Sequence, residues 1–223
     1  MTLNMSQQTH QELPEILPIF PLTGTLLLPR GQLPLNIFEP RYLAMIENSL
    51  GQGRMIGMVQ PQEASEEQNQ ENPPVYEIGC AGRIISFSES GDGRYLITLL
   101  GISRFHITEE LDLLNGYRRI RPTFTSFASD LIVDEENLSD REKRLKIVKS
   151  YFSLKNIDAD WSSVEDASDE PLITSLAMMC PFAPSEKQAL LECSGLQERS
   201  ALLISLMEMA IHNNHDSQPM QTH

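Results

Sequence analysis

Apolar and polar positions change their rhythm near residue 130, and that change divides the chain. From Glu15 to Phe127 the apolar residues fall in short runs separated by turn residues, the pattern of strands. Ile16–Leu22 is broken by Pro18 and Pro21, which suits an edge strand. Leu33–Phe38 follows a turn at Pro29-Arg30-Gly31, and Arg54–Val59 is a third short run. Val75–Phe87, Tyr95–Leu100, Arg104–Ile107 and Tyr117–Phe127 continue the series, with a hairpin turn at Ser90-Gly91-Asp92-Gly93. One helix interrupts it: Pro40 sits at its start, and Tyr42, Met45, Ile46 and Leu50 share a face. Many short strands with turn residues predict a closed or nearly closed barrel.

After about Asp130 the period becomes helical. Ser139 with Glu142 forms a capping box that opens a helix to about Lys155, with the stripe Leu145, Val148, Tyr151 and Phe152. Asp169 can cap a second helix that ends at Pro181. Ser185 with Gln188 opens a third to about Cys193, and Leu196–His212 is the last. A β half followed by an α half predicts an α+β chain: residues 13–128 as the β-barrel and 129–212 as a helical bundle. Residues 1–12 and 213–223 are polar and unpatterned, and 62–74 (QEASEEQNQENPP) reads as a flexible surface loop that cannot offset its ordering entropy.

Charge narrows the choice of partners. The net charge of −14 argues against nucleic acid, whose phosphates need clustered Lys and Arg, and against an anionic membrane surface. No lysine precedes Lys143, so lysine chemistry is excluded from the whole front section. No apolar run reaches the ~18 residues of a membrane span, and the polar N-terminus is no signal peptide, so a cytoplasmic location is expected. Cys80, Cys180 and Cys193 form no CxxC pair and read as reduced, buried thiols.

The motifs of common chemistries are absent. The sequence has no GxxxxGK[ST], no GxGxxG after a strand and no GxSxG. Lys143, Lys146, Lys149, Lys155 and Lys187 lie on amphipathic helices, where solvated lysines are expected. His212 and His215 offer only two metal ligands, and His106 stands alone on a strand. Asp158-Ala-Asp160-Trp-Ser162 starts like a calcium loop but lacks its later glycine and glutamate, which leaves an acidic surface loop. No metal, cofactor or catalytic residue is therefore expected.

One stretch is specific: Leu17-Pro-Ile-Phe-Pro-Leu22, the turn Pro29-Arg30-Gly31, and Leu33-Pro-Leu-Asn-Ile-Phe-Glu-Pro-Arg-Tyr42. With Ile78–Ile84, Leu100–Phe105 and Pro184–Glu192, it strongly resembles the N-terminal, substrate-binding domain of Lon proteases, which cereblon-type proteins also contain. The turn has one residue more than the family's Pro-Gly. The resemblance spans about Glu15 to His212 and implies a PUA-like pseudo-β-barrel followed by a helical bundle. It implies binding of unfolded proteins or peptides, in proteins where ATPase and peptidase domains follow. The chain ends where those would begin, so a binding module without hydrolysis is expected, an adaptor or regulator working with an ATP-dependent protease. The rival expectation is a small-molecule-binding domain with a ligand at the barrel mouth or against the helices.

Within the motif, Phe38, Glu39, Pro40, Arg41, Tyr42, Gly82, Arg83, Gly101, Arg104 and Phe105 read as mainly structural. Glu39 can cap the helix start, Arg41 can fork onto a carboxylate, and Phe38 and Tyr42 would pin the corner into the core. Gly82 and Gly101 suit bulges or close backbone approach, and Arg104-Phe105 would place a guanidinium at the rim and an aromatic inward. An adaptable, methionine-bearing surface is expected to do the binding, with most methionines in the core.

Overall fold

The structure, a computed structural model, describes residues 13–62, 72–132 and 138–216. The chain divides into two compact units, Met1–Val133 and Asp134–His223. Residues 129–132, grouped by sequence with the helices, belong to the first unit.

The first unit is a small barrel. Its strands are β1 (Leu17–Pro21), β2 (Gln32–Ile37), β3 (Met55–Val59), β4 (Ile78–Glu89), β5 (Tyr95–Leu114) and β6 (Tyr117–Thr123), with helix α1 (Pro40–Gly51) after β2. The sheet order is β2-β5-β4-β3-β1-β6, and β5 also pairs with β6, so β1, β3, β4, β5 and β6 close a ring. Among the described residues, only β1 and β3 pair in parallel, and β1 also pairs with β6, so it is an inner strand of the ring and not the edge strand that Pro18 and Pro21 suggest. The ring closes because β5 is long: its first half pairs with β2 and β4, and from His106 onward it pairs with β6. Pro34 is tolerated in β2, which pairs on one side only. Leu17, Ile19, Met55, Val59, Ala81, Phe105 and Ile120 pack together inside.

The sequence reads β5 as two strands, Tyr95–Leu100 and Arg104–Ile107. The structure joins them through register shifts, one between Ala81 and Gly82 on the partner strand. A bulge bends a strand without ending it, and bending is what a narrow barrel needs. The last predicted strand, Tyr117–Phe127, stops at Thr123, and a short 3-10 helix (Thr125–Leu131) follows.

The second unit consists of α2 (Arg141–Lys155), α3 (Trp161–Asp166), α4 (Asp169–Met179), α5 (Pro184–Glu192) and α6 (Leu196–Asp216). Helix α6 carries on past the residue 213 at which the polar C-terminal end was placed. Helix α3 falls in the stretch read as an acidic loop. Asp160 makes it: its carboxylate accepts from the backbone N–H groups and hydroxyls of Ser162 and Ser163.

The other caps differ from the sequence reading. Asp140, not Ser139, precedes α2, with φ 59° and no side-chain cap. Ala183 precedes α5, where Pro184 is the first helical residue and Glu186 accepts from the Ala183 N–H at 2.7 Å. Asp169 does not cap α4; it accepts from the Leu138 N–H, Arg141 and Arg144. Buried Val148, Tyr151 and Phe152 of α2, Leu172, Ile173 and Leu176 of α4, Leu190 and Leu191 of α5, and Leu203 and Met207 of α6 form the second core.

Candidate functional site

The motif corner is built by packing more than by capping. Tyr42 is buried and its ring meets that of Phe20 at 4.3 Å. Burial pushes the Tyr42 hydroxyl above its ordinary pKa, with Arg41 opposing and Glu39 adding to the rise. Phe38 does not enter the core: it is 62% exposed and lies under the Arg94 guanidinium. Glu39 precedes α1 yet makes no side-chain cap. Its Oε2 instead accepts from Arg41 Nε at 3.0 Å, and the Arg41 guanidinium lies over the Tyr42 ring. With Pro40 and Arg41 leading the helix, the carboxylate finds a cation two residues away before it finds a backbone N–H.

The central β5 residues are buried deeper than the sequence suggests. Phe105 is fully buried. It fits because β4 opposes it with Gly79, where a Cβ would stand 2.5 Å from the Phe105 ring. Arg104 is not at a rim. It is 2% exposed, and Asp130 receives its backbone N–H, Nε and Nη2 at 2.9, 2.9 and 2.7 Å. Gly101 touches the Pro29–Gly31 turn so closely that a Cβ would fall 1.9 Å from the Leu28 carbonyl oxygen. Backbone bonds from Arg30 N to Gly101 O and from Gly101 N to Gly31 O lock the turn on β5. The extra residue of that turn, Arg30, takes φ 65°, and its guanidinium donates to the Asp130 carbonyl at 2.6 Å. Gly82 lies opposite the β5 bulge at Ile102, where a Cβ would press on Leu27, and Arg83 donates to the Gly53 carbonyl at 3.1 Å. All of these contacts are made within the barrel unit. Beside them, Arg41 and Tyr42 with Pro73, Tyr117 and Arg118 line a small recess of about 160 Å³. Arg118 is already committed there to Glu110 and the Pro73 carbonyl. The ends of the 62–74 segment are tied by Gln62 N to Pro74 O at 2.8 Å, and most of the segment lies outside the described residues.

A larger and more apolar cavity lies in the helical unit. It measures about 600 Å³ and is bounded by the end of α2, the Ile157–Asp160 connection, α3 and α4. Phe152, Ile157, Val164, Leu172, Leu176 and Met179 give it an oily wall. Met179 ends α4 with 78% of its surface exposed, while Met45, Met55, Met58 and Met207 are core residues. A long apolar side chain left in water at the mouth of an apolar cavity adapts to varied contacts. A second recess of about 480 Å³ shares Phe152, Ile157, Asp158 and Ala159 with it and adds Trp161, whose ring meets Phe152 at 5.6 Å. Burial pushes the Cys180 thiol, which also lines the cavity, up to about 12, with Lys187 opposing. Cys80 and Cys193 are likewise buried, and their thiols donate to the Ala81 and Ala189 carbonyls. The sequence reading misses Trp161, because helix α3 is hidden inside an acidic run. The signal was Asp160 followed by two serines, an N-cap pattern.

Among the described residues, no group of three His, Cys, Asp or Glu side chains could hold a metal, and no helix is long and apolar enough to cross a membrane.

The comparisons agree with this architecture. The ATP-dependent protease La (LON) substrate-binding domain matches residues 16–209, and the chain belongs to that family. It is 25% identical over 200 residues to Lon protease 2 of Myxococcus xanthus and 26% identical over 220 residues to the Lon protease of Flavobacterium johnsoniae. Those matches take in 88% and 92% of this chain but 24% and 25% of the relatives, so the chain spans about a quarter of their length. Among solved structures, a Lon N-terminal domain protein from Xanthomonas campestris superposes with a TM-score of 0.57 at 20% identity, over 85% of this chain and 97% of that one. The N-terminal domain of a Mycobacterium avium complex Lon protease gives 0.57 at 16%, over 86% and 98%. At these identities the structures establish the α+β fold.

Proposed function

We propose that this chain is a non-catalytic binding module that holds apolar segments of unfolded proteins in the cavity of its helical unit, and that it serves proteolysis as an adaptor or regulator. The observation behind this reading is the apolar wall of Phe152, Ile157, Val164, Leu172 and Leu176 with Met179 exposed at its mouth. A cavity that takes one or two apolar side chains gains roughly 1.5–3 kcal/mol for each one it buries. That suits transient capture of many sequences better than tight binding of one. The family supplies the substrate-binding role, and an ATP-dependent protease is the partner it suggests. The barrel interior is packed with its own side chains, and the recess beside Arg41 and Tyr42 is much smaller than the helical cavity.

The test uses the single tryptophan. Titrating the full chain with a carboxymethylated, permanently unfolded polypeptide should change Trp161 emission saturably, and Met179→Asp should weaken that response several-fold at unchanged stability. A flat titration would reject the reading. The cavity volume also falls in the range that holds small ligands, roughly 300–1,000 Å³. That second reading requires a small apolar ligand to bind and to displace the polypeptide.

A further inference from the structure

The charge on the cavity's mouth is one-sided. Among its lining residues are two carboxylates, Asp158 and Asp160, and no lysine, arginine or histidine. Both side chains belong to the short connection that leads into α3, and both are exposed. Asp160 keeps its charge far into acid: hydrogen bonds from the Ser162 and Ser163 hydroxyls and backbone N–H groups lower it to about 2. Asp158 also lines the neighbouring recess. The nearby cations are turned to other work. Lys149 is paired with Glu165 at 2.7 Å and lies over the Trp161 ring, and Lys155 lies over Tyr151.

An oily hollow with uncompensated negative charge on its lip suits one kind of occupant: an apolar side chain with a cation beside it in sequence. We propose that the cavity prefers segments in which a large apolar residue is flanked by lysine or arginine. The apolar residue enters the wall of Leu172, Leu176 and Met179, and the cation rests between Asp158 and Asp160. This rests on the reading of the cavity as the binding site and adds selectivity to it. Acidic apolar segments are repelled by the same two charges, so the site discriminates by repulsion as well as by attraction.

The experiment titrates the full chain with three 12-residue peptides that share a Leu-Phe centre and carry flanking Lys, Ser or Asp residues, followed by Trp161 fluorescence. Exposed ion pairs are weak, so the Lys peptide should bind roughly 3- to 10-fold tighter than the Ser peptide in low salt. The gap should shrink in 0.5 M salt, where charges are screened beyond a few ångströms. The Asp peptide should bind most weakly. The Asp158→Asn/Asp160→Asn double variant should bind the Lys, Ser and Asp peptides about equally, and asparagine still caps α3. That control matters, since the net charge of −14 attracts any cationic peptide weakly. Equal binding of Lys and Ser peptides, or a preference that survives in the double variant, would overturn the inference and leave the cavity reading intact. No binding of any peptide would overturn both.

Discussion

Asp130 takes all three of its Arg104 contacts, the backbone N–H and two guanidinium nitrogens, within 2.9 Å, and both side chains are more than nine-tenths buried. The pair joins the middle of β5 to the 3-10 helix that ends the first unit. The Arg104 guanidinium also lies 4.6 Å from the centre of the Phe127 ring, which stacks on His106. Removing one partner strands a buried charge, which costs about 3–5 kcal/mol. Asp130→Ala and Arg104→Ala should each lower the urea midpoint strongly, and the double variant should cost less than the sum. Additive costs would mean that the two side chains act independently.

Unlike that pair, the Glu39–Arg41 pair is 45% and 37% exposed and should matter little. Glu39→Ala and Arg41→Ala are each expected to cost under about 1 kcal/mol. Tyr42→Ala, which empties a buried aromatic site against Phe20, should cost about 3–5 kcal/mol. Denaturant unfolding of the three variants checks the ranking. A Glu39→Ala cost equal to that of Tyr42→Ala would restore the capping role that the geometry denies.

Gly101→Ala drives a methyl group into the Leu28 carbonyl, a backbone atom that cannot swing aside. The variant should be strongly destabilised or insoluble. Gly91→Ala, which meets nothing within 4 Å, should leave the thermal midpoint within a few degrees of wild type. A Gly101→Ala protein of wild-type stability would show that the Pro29–Gly31 turn does not rest on β5.

Much of the barrel was legible because its strands carry their own punctuation. Pro18 and Pro21 punctuate β1, which nevertheless pairs on both sides, with β3 and β6, and is not an edge; Ser90–Gly93 marks the β4–β5 hairpin, and Pro40 marks the start of α1. The continuity of β5 was hidden, because Gly101 looks like a stop when read locally. It is needed there for a contact with residues 28–31, far away in sequence. The burial of Arg104 was hidden for the same reason: its partner is 26 positions away and sits in a turn of 3-10 helix. Phe38 misled in the opposite sense, since an aromatic residue inside a strand motif suggests the core and here lies outside it. The cavity escaped notice because its wall residues also serve as ordinary helix stripes, and no spacing rule separates Leu172 in a cavity from Leu172 in a core.

Asp169 sets an acid limit on the helical unit. Burial pushes its carboxyl up, but the Leu138 N–H, Arg144 and Arg141 outweigh that and hold it below the ordinary value. A lowered folded value means that the charged form stabilises the fold above the unfolded pKa near ~3.9. The contribution is lost as pH falls through the folded value. The stability gap between wild type and Asp169→Asn should therefore be full at pH 5–7 and close progressively below about pH 4. A gap independent of pH would show that Asp169 acts by packing alone.

The central claim is that the cavity beside α3 and α4 holds client chains, and plugging it is the most direct test. Ser175 lines the cavity and is exposed, so Ser175→Trp can fill the hollow without cutting into the core. The measurement is the fluorescence anisotropy of a labelled, permanently unfolded polypeptide, titrated with wild type and with Ser175→Trp of matched thermal stability. The account predicts saturable binding to wild type and at least a tenfold loss in the plugged variant, about 1.4 kcal/mol. Equal affinity of the two proteins would place the client elsewhere and contradict the account.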